Sequence, residues 1–306
     1  GKSRGGGEFS PSIVDDTRRV LSLVPLIFVG TFFFYMSYWQ LDTYVLFQGY
    51  EMKPAWGGLI ESNVLNSFMN PLCLVVFAFL VERFLLPCLS RRGIVPNQMD
   101  KFMIGCCCAG VALVYAAGID WLLKQNWSPD REQCPSVLLL GPVYGLIAIG
   151  EVFAAPASLD LAYRLAPPST KAIAIGLHGL CNGMVPNFVS SALALLTKDF
   201  QKDKYGCVSR NDEECPTPVR DPSGMPTWDY PSVRIWIIYL IAAAFPICGL
   251  LVIQCTKPYY RRLMSLHSAE GVGDSEEEEE DEDESGSGRR TGTGMGLREG
   301  SGNLSE

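Results

Sequence analysis

Histidine is nearly missing from this chain: there are two, His178 and His267, in 306 residues. That leaves no His-built metal or catalytic centre, and no Cys/His cage, Gly-rich phosphate loop or nucleophile-plus-base pattern stands in for one. Charge is also sparse, at 19% of residues. The 25 Lys and Arg form no basic stripe and are outnumbered by 33 Asp and Glu, so nucleic-acid binding has no electrostatic support. The net charge of −8 says little about partners, because residues 270–284 hold most of the acidic excess. What is abundant is apolar surface: 48% of residues are hydrophobic and mean hydropathy is +0.14 despite the acidic tail. These residues lie in blocks of about 20, the length that crosses a bilayer as a helix. An ordinary soluble enzyme and a disordered chain are both excluded, and no cofactor is expected.

Six spans are predicted, at 24–47, 64–87, 103–123, 137–162, 172–197 and 233–254. The first is expected to open at Pro25, where a missing N–H costs nothing, and the fourth carries Gly141, Gly145 and Gly150, which let helices approach closely in lipid. The domain reading is a loose cytoplasmic connector over 1–22 and a six-helix bundle over 23–260 with an outside loop at 198–232. A disordered acidic cytoplasmic tail is expected over 261–306. Arg18 and Arg19, then Arg91, Arg92 and Lys101, then Arg164 and Lys171, then Lys257, Arg261 and Arg262 all fall on one side by alternation, which assigns that side to the cytoplasm. The glycosylation sequon at Asn126 and the cysteines Cys134, Cys207 and Cys215 fall on the opposite side, where glycans and disulfides belong. Cys207–Cys215 is the favoured bridge, although spacing alone does not establish connectivity. A second sequon, at Asn303, would be inert in the cytoplasmic tail.

An ionisable group inside a span costs about 2.5–3.5 kcal/mol on insertion scales and asks for a reason. Glu151 is the sharpest case, alone near the middle of span 4. It reads either as a structural carboxyl or as a carboxylate lining a polar cavity that binds a cation or a proton. Gln40 and Asp42 lie deep in span 1, beside Tyr38 and Trp39, and Asp42 has few basic groups to pair with. An unpaired carboxylate there suggests proton chemistry, or a partner outside these residues. Asn66 and Asn70 are i,i+4 neighbours on span 2 that could bind a polar ligand or join two helices. Span 5 contributes His178, read as a hydrogen-bonded packing residue, and Asn182 and Asn187 on either side of Pro186.

These residues resemble a known family. Gly150-Glu151-Val152-Phe153, then Leu159-Asp160-Leu161-Ala162-Tyr163, then Ala166-Pro167-Pro168-Ser169 with Lys171, is similar to the tenth-helix signature of the proton-coupled oligopeptide transporters. With the plant nitrate/peptide transporters these form one family of the major facilitator superfamily. Asn187-Phe188-Val189-Ser190-Ser191 resembles that family's helix eleven, Tyr38-Trp39-Gln40 with Thr43 and Gln48-Gly49 its helix seven, and Asn70-Pro71 its helix eight.

The resemblance implies an all-α membrane protein whose six transmembrane helices are the C-terminal half of a major facilitator fold. An N-terminal six-helix half would then be missing from this chain and act as its partner. It implies proton-coupled transport of di- or tripeptides, with Glu151 and Asn70 receiving the substrate's amino terminus, Gln40, Tyr38 and Asn187 near the cavity, and Asp42 a second proton-coupling candidate. Trp39 stands where bacterial members have an acid. A nitrate or plant-type small-metabolite carrier, and a non-transporting scaffold remnant, remain as alternatives. The expected location is an integral multi-pass protein of the plasma membrane or a vacuolar or endomembrane.

Overall fold

The structure is a computed structural model that describes residues 11–128, 130–203 and 229–286. The described residues contain six helices long and apolar enough to cross a membrane: Asp16–Glu51, Ser62–Arg91, Gln98–Gln125, Val137–Arg164, Lys171–Leu196 and Ile235–Arg262, spans 1 to 6 below. Each overlaps its predicted segment. Two compact units are distinguished, Gly1–Lys257 and Pro258–Glu306. The first holds the bundle; within the second, helix extends as far as Gly286.

Three boundaries differ from the sequence reading. The connector expected over 1–22 is helical from Pro11, because Val20 offers an apolar side chain that packs with Ala166 and Ala174. Pro25 therefore lies inside a helix rather than at its start. The last helix runs Ile235–Gly286, into the acidic stretch expected to be loose; glutamate has a good intrinsic helix propensity, and this stretch follows a helix already nucleated by span 6.

Span 4 is the centre of the bundle and packs against spans 1, 2, 3 and 5. Small residues make this possible. A Cβ on Gly150 would lie 2.7 Å from the Phe34 ring and 3.1 Å from the Gly105 carbonyl oxygen, so spans 1, 3 and 4 meet here only because two glycines face each other. Gly141 and Gly145 meet their neighbours only at ordinary van der Waals distance. Span 3 starts on a reciprocal cap: Asp100 N donates to Asn97 Oδ1 (2.9 Å) and Asn97 N to Asp100 Oδ2 (3.3 Å). Asp100 also pairs with Lys257 at 2.8 Å, joining the start of span 3 to the end of span 6, on the side that the charge alternation expects to be inner.

The opposite ends, expected to be outer and named so below, carry buried polar contacts. Tyr230 donates to Asp120 Oδ1 (2.6 Å), Lys124 pairs with Asp120 Oδ2 (2.6 Å), and Tyr239 donates to Gln48 Oε1 (2.7 Å) while Gln48 Nε2 donates to the Ala116 carbonyl (3.3 Å). Spans 2 and 5 are peripheral: only 6% and 17% of their most apolar windows is buried, against half for spans 1, 3 and 4. Phe68, Val75 and Phe79 on span 2 point outward, which suits a lipid-facing or partner-facing surface.

Candidate functional site

Three spans are interrupted by a π-helical turn: Leu41–Val45 in span 1, Val81–Leu85 in span 2 and Leu180–Met184 in span 5. A π turn inserts one residue and rotates the face that follows it, and such turns gather at functional sites. In span 1 Val45 N reaches back to the Gln40 carbonyl at 3.1 Å, between Tyr38 and Asp42. In span 5 the turn precedes Pro186, whose ring cannot accept a normal helical path past the carbonyl of residue 182.

A polar strip follows from these phases. Tyr35 and Tyr38 of span 1, Asn70 of span 2, Glu151 and Ser158 of span 4, and His178 and Asn182 of span 5 lie along connected faces. On span 4 the spacing is seven residues, two turns of helix, so Tyr144, Glu151 and Ser158 share one side. Asn70 Nδ2 donates to the Tyr38 hydroxyl at 3.3 Å. The Glu151 carboxyl stands next to the Asn70 amide and near the Tyr35 and Tyr38 hydroxyls. Tyr38 is held by edge contacts to Tyr35 (ring centroids 5.6 Å apart) and Trp39 (5.8 Å). Toward the inner end, His178 Nε2 lies 2.7 Å from Ser158 Oγ and 3.3 Å from Asn182 Nδ2.

Three oxygens along these faces are buried with no hydrogen-bond partner, Glu151 Oε2, Asn70 Oδ1 and, two turns along span 4, the Tyr144 hydroxyl, and the first two stand together. Buried polar atoms are nearly always satisfied, so each such exception calls for an explanation. Two adjacent acceptors, one of them a carboxylate oxygen, are complementary to a group with several N–H donors and a positive charge. None of the strip's side chains is a Lys or Arg.

The other predicted residues separate from this pair. Gln40 is fully buried and its Nε2 donates to Met36 O (2.9 Å) and Ser190 Oγ (3.1 Å), which makes it a tie between spans 1 and 5. Asp42 has an amide for a partner, not a base: Asn66 Nδ2 donates to its Oδ1 at 2.8 Å. The two span-2 asparagines thus divide the two readings given to them, Asn66 joining helices and Asn70 facing Glu151. His178 is hydrogen-bonded, as expected of a packing residue, but on the strip. Asn187 is exposed and, with Asp42, lines a separate cavity of about 680 Å³ toward the outer end. Asn126 is exposed and caps span 3, its Nδ2 donating to Leu122 O at 3.0 Å. Cys134 is a buried free thiol. The predicted Cys207–Cys215 bridge and the Asn303 sequon lie outside the described residues, and no metal-holding cluster occurs among the described ones.

Sequence reading missed Tyr35, Ser158 and the pairing of Asn182 with His178. The i+7 spacing of Glu151 and Ser158 and the i+4 spacing of His178 and Asn182 were available as signals, but neither tells which spans face one another. It also missed the outer Asp120–Lys124–Tyr230 network.

Comparison with known proteins agrees with this architecture. The chain is 26% identical over 180 residues to "Probable peptide transporter ptr2" of Schizosaccharomyces pombe, an alignment covering 55% of this chain and 28% of that protein. It is 25% identical over 214 residues to "Peptide transporter PTR_A" of Candidozyma auris, covering 65% of this chain and 34% of that one. Among solved structures, an "auto inhibited POT family peptide transporter" superposes with a TM-score of 0.57 at 21% identity, covering 82% of this chain and 43% of that chain. The chain spans from 28% to 48% of the length of the curated relatives it matches. The shared fold, with six membrane-length helices, is that of an integral multi-pass membrane protein. A family model described as "PTR2: POT family" matches residues 9–208, and the chain belongs to that family.

Proposed function

We propose that this chain forms the amine-binding wall of a proton-coupled carrier for di- and tripeptides, acting in transport and not in catalysis. The observation that carries the reading is the pair of buried, unpartnered acceptors, Glu151 Oε2 and Asn70 Oδ1, beside the Tyr38 hydroxyl. A peptide's terminal ammonium has three N–H donors. Two go to these oxygens, and the third has the Tyr38 hydroxyl oxygen within the same cluster. The relatives named as peptide transporters support the choice of solute.

Proton coupling has a simple physical basis at this carboxyl. A bare carboxylate deep in a span is costly, and either a proton or an ammonium relieves that cost. Because proton and peptide have to cross together, the proton sits on a second carboxyl, Asp42 of span 1, while the ammonium occupies Glu151, and protonation of Glu151 itself then releases the peptide. A second six-helix bundle would cover the strip, and the solute would be carried as the two bundles rock about the midplane. Nitrate is disfavoured by the same geometry: an anion would meet Glu151 with no Lys or Arg on the strip to offset it.

The test is uptake into proteoliposomes carrying the complete gene product. Acid-driven uptake of a labelled dipeptide is expected to disappear in Glu151→Gln while the variant stays folded. Undiminished uptake would sink the assignment of that residue. Failure of the unaltered protein to take up any peptide would favour the non-transporting scaffold instead.

A further inference from the structure

A second cavity separates from the strip. It lies between spans 1 and 5 toward their outer ends, encloses about 680 Å³, and is lined by Trp39, Asp42, Asn187, Lys198, Gln201 and Lys202 among others. That volume is within the usual range for a small-molecule site. Its charges are segregated, with one carboxylate at the midplane end and two ammonium groups at the outer end. We propose that this cavity is an outer binding site for a zwitterion of dipeptide length, its ammonium end at Asp42 and its carboxylate end at Lys198 and Lys202. The choice of a peptide as ligand rests on the function proposed above; the cavity and its charges do not depend on Glu151.

The helix register supplies the length. Gln40 meets Ser190 at 3.1 Å and Tyr44 meets Thr197 at 3.2 Å, so residue 42 is level with 193–194, four to five residues short of Lys198. At about 1.5 Å of rise per residue the backbone of Lys198 lies about 7 Å further along the helix than the level of Asp42. Two extended residues, at about 3.3–3.6 Å each, cover that distance.

The groups are available for a ligand. Lys198 has no hydrogen-bond or ion-pair partner among the described residues, and Lys202 meets only the exposed Asp199, at 3.5 Å. Asp42 uses one oxygen on the Asn66 amide, leaving its other oxygen free to accept from an ammonium. Asn187 adds an amide on the inner side of Asp42, and Gln201, whose Nε2 already donates to the Tyr44 hydroxyl (3.1 Å) and Ala194 O (2.9 Å), keeps its Oε1 as an acceptor. The indole N–H of Trp39 is buried without an acceptor, and a peptide carbonyl would provide one. A peptide held here would be the one next in line for the Glu151 strip.

Titration calorimetry of the complete gene product in lipid nanodiscs with dialanine reads the site directly. Two binding phases are expected. In the Glu151→Gln background one phase remains; the Lys198→Ala/Lys202→Ala pair weakens that phase at least about tenfold, and Lys198→Arg, which keeps the charge, preserves it. Capping either end of the ligand, as N-acetyl-dialanine or dialanine amide, weakens the same phase about tenfold. The outer site is overturned if Glu151→Gln binds no dialanine, or if the lysine pair leaves the remaining phase unchanged. If Glu151→Gln keeps both phases while the lysine pair removes one, the outer site holds and the central assignment fails instead.

Discussion

Two buried polar regions of this bundle look alike in composition and opposite in bonding. At the outer end Asp120 is tied to Lys124 and Tyr230, and Gln48 to Tyr239, by contacts of 2.6–2.7 Å. At the midplane Glu151 and Asn70 each keep a buried oxygen with no partner. Both regions bear the desolvation cost of a carboxylate, yet only one recovers it inside the chain. A completed network fixes helices in place, whereas an open one is poised for a donor arriving from outside. Among the acids, it is the partners of the carboxylate that differ: Asp120 meets a lysine and a tyrosine, whereas Glu151 Oε2 meets no donor.

Exchanging their chemistry should break the comparison in opposite ways. Glu151→Gln is expected to lower acid-driven dipeptide uptake at least about 100-fold with no loss of thermal stability, measured as uptake and unfolding of the same preparation. Loss of folding there would place Glu151 with the scaffold. Asp120→Ala should do the reverse. It strands Lys124 and the Tyr230 hydroxyl, costing about 3–5 kcal/mol in detergent unfolding, with residual uptake tracking the folded fraction. Gly150→Ala drives a methyl against Phe34 and the Gly105 carbonyl, and about 1–3 kcal/mol of stability should be lost. Tyr239→Phe leaves Gln48 Oε1 unpaired, a loss of about 1–3 kcal/mol in the same assay.

The smallest effect concerns pH. Burial first, and then the Asp120 charge, raise the Tyr230 hydroxyl well above the ordinary tyrosine value. Its folded form therefore holds the proton after the unfolded form has released it. The stability it contributes is intact below about pH 10, the unfolded value, and declines as pH rises beyond it. Tyr230→Phe should flatten that alkaline limb of a stability-against-pH curve. An unchanged limb would assign it to other tyrosines.

Much of the fold was legible along the chain, because a bilayer accepts only long apolar helices and these announce themselves by length. All six spans lie where the apolar blocks are, and the glycine expected to bring helices together does so at Gly150. The strip was half legible: Glu151 and Asn70 stood out as polar residues at membrane depth, but Gln40, equally conspicuous, is a structural tie to Ser190. Asp42 found Asn66, an amide that no charge-pairing argument would select. Distinguishing these needs to know which helix faces which, and at what height.

The apolar block lengths, the lone carboxylate of span 4 and the motifs around it were fixed by the one-dimensional order of residues, since hydrophobic thickness and insertion cost act on each segment separately. Whether a polar side chain is bonded or left waiting was decided only when the helices packed. Three π turns and a glycine crossing set the rotation and height of neighbouring faces, and a hydrogen bond depends on both to within a fraction of an ångström.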